Sequence, residues 1–293
     1  MDIGKLGVWF FLETMPSEEA AKFLQGLEKR GYPAFWLPEA VGREAFAQCG
    51  FLLARTEKIV VATGIANIWA RDPMTMAAGQ KTLAEASGGR FLLGIGVSHA
   101  PLVQGLRGHD YHKPLTTMRD YLDKMQSAPF VAVGPAETPP IVLGAIRPKM
   151  IELAAARTMG THTYFVPPEH TARTRAAIGP DKWLCVAQAV ILESDPDRAR
   201  AVARSYMRTY VPALPNYTEN LRSLGWTDAD FADGCSDRLV DAIVAWGDEK
   251  AIVSRLRAQL DAGASHVCFL PLRPDGAPLP DERVLDALAN LKL

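Results

Sequence analysis

The sequence has few of the features that link, anchor or export a protein. Its four cysteines, Cys49, Cys185, Cys235 and Cys268, form no CxxC pair, so the spacing of a cysteine-ligated metal site is missing. Their neighbours are small or apolar, which predicts buried free thiols in a reducing cytoplasm. No apolar run reaches the length of a membrane span, and the N-terminal apolar stretch is too short for a secretion signal. We therefore expect a cytoplasmic protein without a membrane partner.

Neither sign of charge dominates the sequence. The chain has 32 Lys and Arg residues against 33 Asp and Glu residues, a formal net charge of −1. A dedicated nucleic-acid-binding protein carries an excess of basic residues. We therefore expect a small-molecule substrate and no nucleic-acid partner. A local basic pocket for a phosphate group remains compatible with this balance.

Motifs for hydrolysis and metal binding are also missing. The sequence contains no GxSxG elbow, no HExxH pair and no Walker loop. His109 and His112 are closely spaced, but they stand in a loop-like segment with Gly and Tyr. We predict no metal site, and a metal-dependent barrel hydrolase is the weakest alternative.

What the sequence does contain is a repeated alternation of short apolar runs with amphipathic helical windows. Such continuous apolar runs are typical of strands buried on both faces of a parallel sheet. Eight runs separated by helices predict an α/β fold, a single-domain (β/α)8 TIM barrel over residues 1–293, with an open doubly wound sheet as the alternative. The predicted strands span residues 6–12, 34–38, 59–65, 90–96, 140–144, 163–166, 184–192 and 265–270.

Two segments interrupt this alternation. Residues 100–126 follow the fourth predicted strand, residues 210–246 follow the seventh, and both are rich in Pro and Gly. We name them the first and the second excursion. Active sites of TIM barrels lie at the carboxyl ends of the strands, where both excursions begin. They are therefore expected to form lids or substrate walls.

Five segments occur in the order of a known family. They are LGVWF at 6–10, FWLPE at 35–39, VATGI at 61–65 with ARDPMTMAA at 70–78, GRFLLGIG at 89–96 and LGAIRPKMIELA at 143–154. The chain thereby resembles the bacterial luciferase-like monooxygenase superfamily, in its coenzyme F420-dependent (deazaflavin) oxidoreductase branch. The resemblance continues to residue 266. It implies a luciferase-like barrel that binds F420 and moves a hydride to or from a small organic substrate.

The resemblance also implies which residues contact the cofactor ring. The family often holds a non-prolyl cis peptide at the position of Gly64 and Ile65, where it supports the ring from behind. Glu39 is implied to lie near the ring. The GxG of residues 94–96 allows a ring or a phosphate to approach the backbone closely. The remaining implied ring contacts are Gly96, Val97 and Ser98.

Two helix starts are candidates for binding the cofactor's phosphate. A glycine-containing turn that opens a helix offers free N–H groups and a positive dipole end to an anion. The family places the phosphate at the loops after the fifth and sixth strands. The implied contacts are Gly144, Ala145, Arg147, Pro167, Pro168, Glu169, His170 and Thr171, with Arg173 and Arg175 behind them; a solvated helix face is the alternative for these two arginines.

Two departures from the family pattern concern catalysis. Ala40 stands where a histidine often follows the acid of the second strand, and His99 stands where an acid often ends the segment after GxG. An imidazole exchanges protons near neutral pH. His99 is therefore the predicted acid/base, with a structural loop histidine as the alternative. Glu39 is the second predicted catalytic residue, placed near the ring by the resemblance.

Aromatic residues near predicted strand ends are candidates for the substrate pocket. We predict pocket walls at Trp9, Trp69 and Arg71. The resemblance leaves an FMN-dependent monooxygenase, which needs a reductase partner, as the first alternative. A non-catalytic flavin-binding relative is the second, because of Ala40. A homodimer is expected.

Overall fold

A computed structural model describes residues 1–289 and 291 of the chain. Ten strands alternate with helices along it. The strands are β1 (Leu6–Trp9), β2 (Ala34–Leu37), β3 (Val60–Thr63), β4 (Ala66–Asn67), β5 (Phe91–Gly96), β6 (Ile141–Gly144), β7 (Gly160–Thr163), β8 (Trp183–Leu192), β9 (Ala245–Gly247) and β10 (His266–Leu272).

Twelve α-helices lie between and after the strands in the described residues. They are α1 (Ser17–Lys29), α2 (Ala45–Ala54), α3 (Pro73–Ala86), α4 (Pro114–Ser127), α5 (Pro148–Arg157), α6 (Pro168–Ile178), α7 (Pro196–Met207), α8 (Pro215–Arg222), α9 (Asp228–Phe231), α10 (Asp237–Ile243), α11 (Glu249–Asp261) and α12 (Glu282–Leu288). None of the helices described has the length and hydropathy of a membrane span.

The sheet closes into a barrel of parallel strands. Neighbouring strands follow the order β10-β1-β2-β3-β5-β6-β7-β8, and β8 pairs with β10 to complete the ring. This closing ladder runs in register from Cys185 opposite His266 to Ile191 opposite Leu272. The predicted (β/α)8 TIM barrel is therefore confirmed, and the open sheet is excluded because β10 has a barrel partner on each side.

The sixth predicted strand is partly wrong. The sequence predicts a strand over residues 163–166, where Tyr164, Phe165 and Val166 form an apolar run, but β7 is Gly160–Thr163. Phe165 has a φ of 54°, which ends the extended backbone. The apolar run lies just beyond the strand, at the barrel mouth, and its aromatic side chains pack there.

Two short strands are additional to the predicted eight. β4 follows directly after the Gly64–Ile65 peptide and pairs with β5, so it continues the path of β3 beyond a bulge. β9 pairs with the end of β8, from Val190 opposite Ala245 to Leu192 opposite Gly247. β9 therefore returns the chain to the barrel at the end of the second excursion.

The excursions differ in size from the expectation. In the first, only residues 100–113 are irregular, and they include a π-helical turn, Pro101–Leu106. The rest of it belongs to α4, which is the barrel's own helix between β5 and β6. The second excursion contains α8, α9, a short 3₁₀ turn at Ala232–Gly234 and α10. An ion pair between Arg200 of α7 and Asp241 of α10 holds it to the preceding helix.

Candidate active site

A cavity of about 370 Å³ lies at the carboxyl ends of the barrel strands. Its walls come from the strand ends and from both excursions. Most of the residues predicted to bind cofactor or substrate line it: Trp9, Glu39, Gly64, Ile65, Gly96, Val97, Ser98, His99, Gly144 and Ala145. The structure therefore brings these predicted residues together at one end of the barrel.

The side chain of Ile65 forms a raised part of the cavity floor. The peptide between Gly64 and Ile65 is cis, as the resemblance implies. A Cβ at Gly96 would lie 2.7 Å from Cδ1 of Ile65, and a Cβ at Gly144 would lie 3.1 Å from its Cγ2. Both glycines therefore make room for Ile65.

Gly94 has a different function from the one expected of the GxG. A Cβ there would lie 2.0 Å from the carbonyl oxygen of Thr63 on the neighbouring strand. The Thr63 hydroxyl also donates to the Gly94 carbonyl at 2.7 Å and accepts from its N–H at 3.0 Å. Gly94 thus permits close pairing of β3 with β5 and does not line the cavity.

Glu39 lines the cavity, but its carboxylate is engaged on the far side. It pairs with both terminal nitrogens of Arg71 and accepts from the N–H of Asn67 at 2.7 Å. The two side chains are only 4% and 7% exposed. Burial alone lowers the pKa of Arg71, but its hydrogen bonds and charge pairing with Glu39 and Glu44 outweigh this and raise the pKa above its usual range. The pair therefore holds the loop after the bulge.

Two predicted wall residues lie outside the cavity lining. Arg71 is behind Glu39, where its guanidinium stacks 4.5 Å above the ring of Phe46. The indole N–H of Trp69 donates to the Val97 carbonyl at 3.0 Å, which ties β4 to the segment after β5. The expectation that Trp69 and Arg71 form pocket walls is wrong, because both side chains support residues that do.

His99 faces the cavity just before the first excursion. Burial lowers the pKa of its imidazole below 6.5, so the ring is neutral at pH 7. Neither ring nitrogen hydrogen-bonds to a described residue, and the ring lies 5.4 Å from that of Tyr217 between centroids. His99 is thus a neutral imidazole beside an aromatic wall.

Sequence reasoning missed that wall, a cluster of tyrosines around Phe165. Tyr164 stacks on Trp9 at 5.2 Å, and the Tyr206 hydroxyl donates to the Tyr164 hydroxyl at 2.6 Å. Tyr210 and Tyr217 complete the cluster from the second excursion, and burial raises the pKa of both. The close succession of Tyr206, Tyr210 and Tyr217 in the sequence was the available signal.

His162 was also missed, because a histidine on a short strand has no motif around it. It lines the cavity floor, is 4% exposed and stacks on Trp36 with centroids 4.8 Å apart. Its ring nitrogens have no well-formed hydrogen bond to any described residue. Burial lowers its pKa to about 3, assisted by His266, although the backbone of Cys185 opposes part of this. A buried imidazole without a partner is a group that a bound ligand can satisfy.

The two helix starts predicted to bind phosphate are adjacent. A hydrogen bond of 2.7 Å joins Nε2 of His170, in the first turn of α6, to the carbonyl of Ile146 before α5. The first N–H groups of such helices have no partner within the helix and attract anions. Arg147 is exposed at the start of α5, and Pro167, Pro168 and Glu169 open α6.

Some of the predicted phosphate contacts have other partners. Thr171 donates its hydroxyl to Gln259 at 2.6 Å in the interior, and Ala145 donates its N–H to the His162 carbonyl. Burial is the main cause that lowers the pKa of His170 to about 4, so its buried ring carries no charge for an anion. Thr171, Ala145 and His170 therefore stabilise the turns before α5 and α6 and do not donate to a ligand.

The arginines of α6 point to different ends of the protein. Arg173 donates to Oδ1 of Asn220 at 3.1 Å and to the hydroxyl of Ser223 at 2.9 Å, which ties α6 to the end of α8. Arg175 instead donates to the backbone oxygens of Gly263 and Lys182, both at 2.8 Å. The expectation that Arg175 backs the phosphate site is wrong, because it joins the other end of α6 to the base of the barrel.

These features together fit a flat ring with an anionic tail. The floor carries an apolar side chain in space that Gly96 and Gly144 leave, and an orphaned imidazole, His162, lies beside it. The N-termini of α5 and α6 lie beside Ile146, which lines the same cavity. In the part of the chain that the structure describes, no three or more His, Cys, Asp and Glu side chains could together hold a metal ion.

Comparison with known proteins gives consistent results. A model of the family described as luciferase-like monooxygenase matches residues 5–266. A Mycobacterium tuberculosis protein provisionally named a coenzyme F420-dependent oxidoreductase is 25% identical in an alignment that covers 83% of this chain and 87% of the relative. The 5,10-methylenetetrahydromethanopterin reductase of Archaeoglobus fulgidus is 24% identical, with 90% and 93% covered.

The fold also has close counterparts among solved structures. A structure of an F420-dependent secondary alcohol dehydrogenase in complex with an F420-acetone adduct superimposes with a TM-score of 0.79 and covers 98% of both chains. The sequence identity is 15%, so this likeness establishes the fold alone.

Proposed function

Because this chain belongs to the luciferase-like monooxygenase family, we propose that it is a coenzyme F420-dependent oxidoreductase that transfers a hydride between the deazaflavin and a small organic substrate. The observation that carries the proposal is the cavity floor, where Ile65 stands between Gly96 and Gly144 and offers a flat ring an apolar support. The Mycobacterium tuberculosis relative that is named for F420 favours this cofactor over FMN.

The proposed binding residues divide between ring and tail. When bound, the deazaflavin accepts or gives a hydride and so supplies the redox chemistry. Ile65 supports the ring, and Gly96, Val97, Ser98 and Gly144 border it. The N-termini of α5 and α6 hold the phosphate of the tail, with Arg147 as the nearby cation.

His99 handles the proton in this proposal. Its lowered pKa keeps the imidazole neutral at pH 7, so it can accept a proton from a substrate hydroxyl during oxidation and return it during reduction. Glu39 is a positioning residue, because its oxygens are engaged by Arg71 and Asn67 and it acts through the loop that they hold.

Titration of the purified protein with F420 and with FMN tests the proposal, with tryptophan fluorescence as the readout. We expect micromolar binding of F420 and at least tenfold weaker binding of FMN. Preference for FMN would replace the proposal with a monooxygenase that needs a reductase partner. Tight F420 binding without turnover on any substrate would indicate a non-catalytic relative, and binding of neither would remove the proposed function.

A pair of matched variants tests whether Ile65 on the cavity floor contributes to F420 binding. Ile65→Ala removes the apolar support and is expected to weaken F420 binding at least tenfold. Ile68→Ala is the control, because Ile68 is buried in the same segment but does not line the cavity. Equal weakening by both variants would contradict a role of Ile65 in supporting the ring.

We also propose that the protein is a single-domain homodimer of the cytoplasm. The buried free thiols suit a reducing compartment. Val41, Met74 and Leu106 are exposed apolar side chains that follow the ends of β2, β4 and β5, and they support a subunit contact there. Light scattering is expected to give twice the chain mass of 31.9 kDa, and cell fractionation tests the compartment.

A further inference from the structure

We propose that the part of the cavity next to the second excursion binds an uncharged substrate with an apolar body and one hydroxyl or carbonyl group, and that His99 and Tyr217 recognise this oxygen. The inference rests on the proposed function, because it assigns the substrate class of the same site. The substrate is placed on the side of the cavity that the first and second excursions form.

The residues that line the cavity offer no positive charge to an anionic substrate. The excursions contribute the apolar side chains of Leu102 and Leu214 and the neutral polar residue Asn216 to the lining, and Phe11, Ile146 and Thr209 add further uncharged side chains. No Lys or Arg from the described chain lines the cavity. A carboxylate or a phosphate on the substrate would lose its hydration without gaining a counter-charge, which is strongly unfavourable.

A cationic substrate is also disfavoured. The sole carboxylate that lines the cavity, within the residues described, belongs to Glu39, and Arg71 already neutralises it. Aromatic rings attract cations, but this attraction is small beside the loss of hydration of a buried charge. The surroundings that keep His99 neutral act in the same way on a substrate ammonium group.

The pairing of His99 with Tyr217 supplies the polar recognition. Their rings lie 5.4 Å apart between centroids and are inclined by 45°. The Tyr217 hydroxyl has no hydrogen-bond partner among the described residues, although the residue is only 6% exposed. Burial raises the pKa of Tyr217 and lowers that of His99, so a hydroxyl donor and a neutral imidazole face the same space. One donor and one proton acceptor suit an alcohol or a carbonyl oxygen.

The substrate class is tested with ring compounds of similar size and different charge. Cyclohexanol and cyclohexanone are compared with cyclohexanecarboxylate and cyclohexylammonium by calorimetric titration of the F420-loaded protein. We expect the two neutral compounds to bind at least tenfold more tightly than either ion. Equal or tighter binding of an ion, or no binding of the neutral compounds, would overturn the proposal.

A second measurement isolates Tyr217. Tyr217→Phe is expected to weaken cyclohexanol binding about tenfold and to leave cyclohexane and F420 binding unchanged, because only the hydroxyl is lost. Tyr32→Phe is the control, since the Tyr32 hydroxyl donates to the Leu285 carbonyl away from the cavity. Unchanged cyclohexanol binding, or an equal loss for cyclohexane, would contradict the recognition role.

The two proposals fail in different ways. The same ring compounds are titrated into the protein without cofactor. If F420 does not bind but the neutral compounds still bind selectively, the proposed function fails and the assignment of the substrate side stands. If F420 binds tightly and the ions bind best, the proposed function stands and this inference fails.

Discussion

The carboxylate of Glu39 lies between the cavity and the guanidinium of Arg71. The position of Glu39 in the sequence predicts that it lies near the cavity but does not predict its hydrogen-bond partners. The sequence places an acid at the end of β2, which is where catalytic groups of TIM barrels occur. The structure shows its oxygens engaged by Arg71 and Asn67. The difference depends on residues about 30 positions later in the chain, so no local pattern could predict it.

Glu39→Gln is expected to lower the free energy of unfolding by about 3 kcal/mol, since it leaves Arg71 as a buried cation with only Glu44 as its partner. Urea denaturation measures this loss. Glu18→Gln is the control, because Glu18 pairs with Arg55 at the surface and should change stability by less than about 1 kcal/mol. Unchanged stability of Glu39→Gln together with lost turnover would instead assign Glu39 a direct chemical role.

The buried His170 makes stability depend on pH. Its pKa is about 4 in the folded protein against its usual 6.5. The unfolded chain therefore takes up a proton below pH 6.5 that the folded chain excludes, and stability falls as the pH falls. We expect a loss of about 2 kcal/mol between pH 7 and pH 5 from this histidine.

Urea denaturation at several pH values measures this dependence. His170→Gln is expected to make the fall in unfolding free energy between pH 7 and pH 5 smaller by about 2 kcal/mol, because an amide does not titrate there. The buried His162 and His266, whose pKa values are lowered in the same way, keep their share of the fall. His112→Gln serves as the control, since the His112 ring is exposed. An identical pH profile for the wild type and His170→Gln would refute the assignment.

At the scale of elements, the glycines of the GRFLLGIG segment determine how the strands pack. Gly94 allows β5 to approach the Thr63 carbonyl, and Gly96 leaves space for Ile65. A sequence pattern identifies the glycines but not the atoms that they face. Of these two glycines only Gly96 lines the cavity, so the close approach of a ligand to the backbone stays a prediction for Gly96 alone.

Gly94→Ala is expected to destabilise the protein by about 3 kcal/mol or more, because its Cβ would lie 2.0 Å from a backbone oxygen that cannot turn away. Thermal unfolding measures the effect. Gly105→Ala is the control, since a Cβ at Gly105 meets no atom within 4 Å. Similar melting temperatures for the two variants would show that β3 and β5 can separate at little cost.

The elements also show which parts of the fold a sequence can predict. Continuous apolar runs predict β1, β2, β3, β5 and β8, since burial on both faces demands such residues. β7 is polar, with His162 and two threonines. The strand was therefore predicted three residues too late, on the apolar residues that follow β7. The tyrosine cluster joins the end of β7 to α7 and α8, and only the tertiary fold brings these segments together.

At the scale of the whole molecule, the folded chain buries all four thiols. Cys49, Cys185 and Cys268 are fully buried, and Cys235 is 2% exposed. Burial raises the pKa of each thiol, which lowers its reactivity further. None of the four is paired in a disulfide.

Thiol titration with a chromogenic disulfide reagent is expected to detect no reactive cysteine in the folded protein and four after denaturation in urea. The result should not depend on prior treatment with a reductant. Rapid reaction of one thiol in the folded protein would contradict the closed packing around it. Fewer than four thiols in the denatured, unreduced protein would reveal a disulfide.

The pairing of β9 with β8 has a consequence for the evolution of this chain. Leu192 and Gly247 are ladder partners, so the chain leaves the barrel and returns to it at the same place. A loop whose ends are already joined can change in length and content with little effect on closure of the barrel. Natural selection can therefore change the sequence of α8, which carries Tyr217, while the cavity floor around Ile65 stays the same.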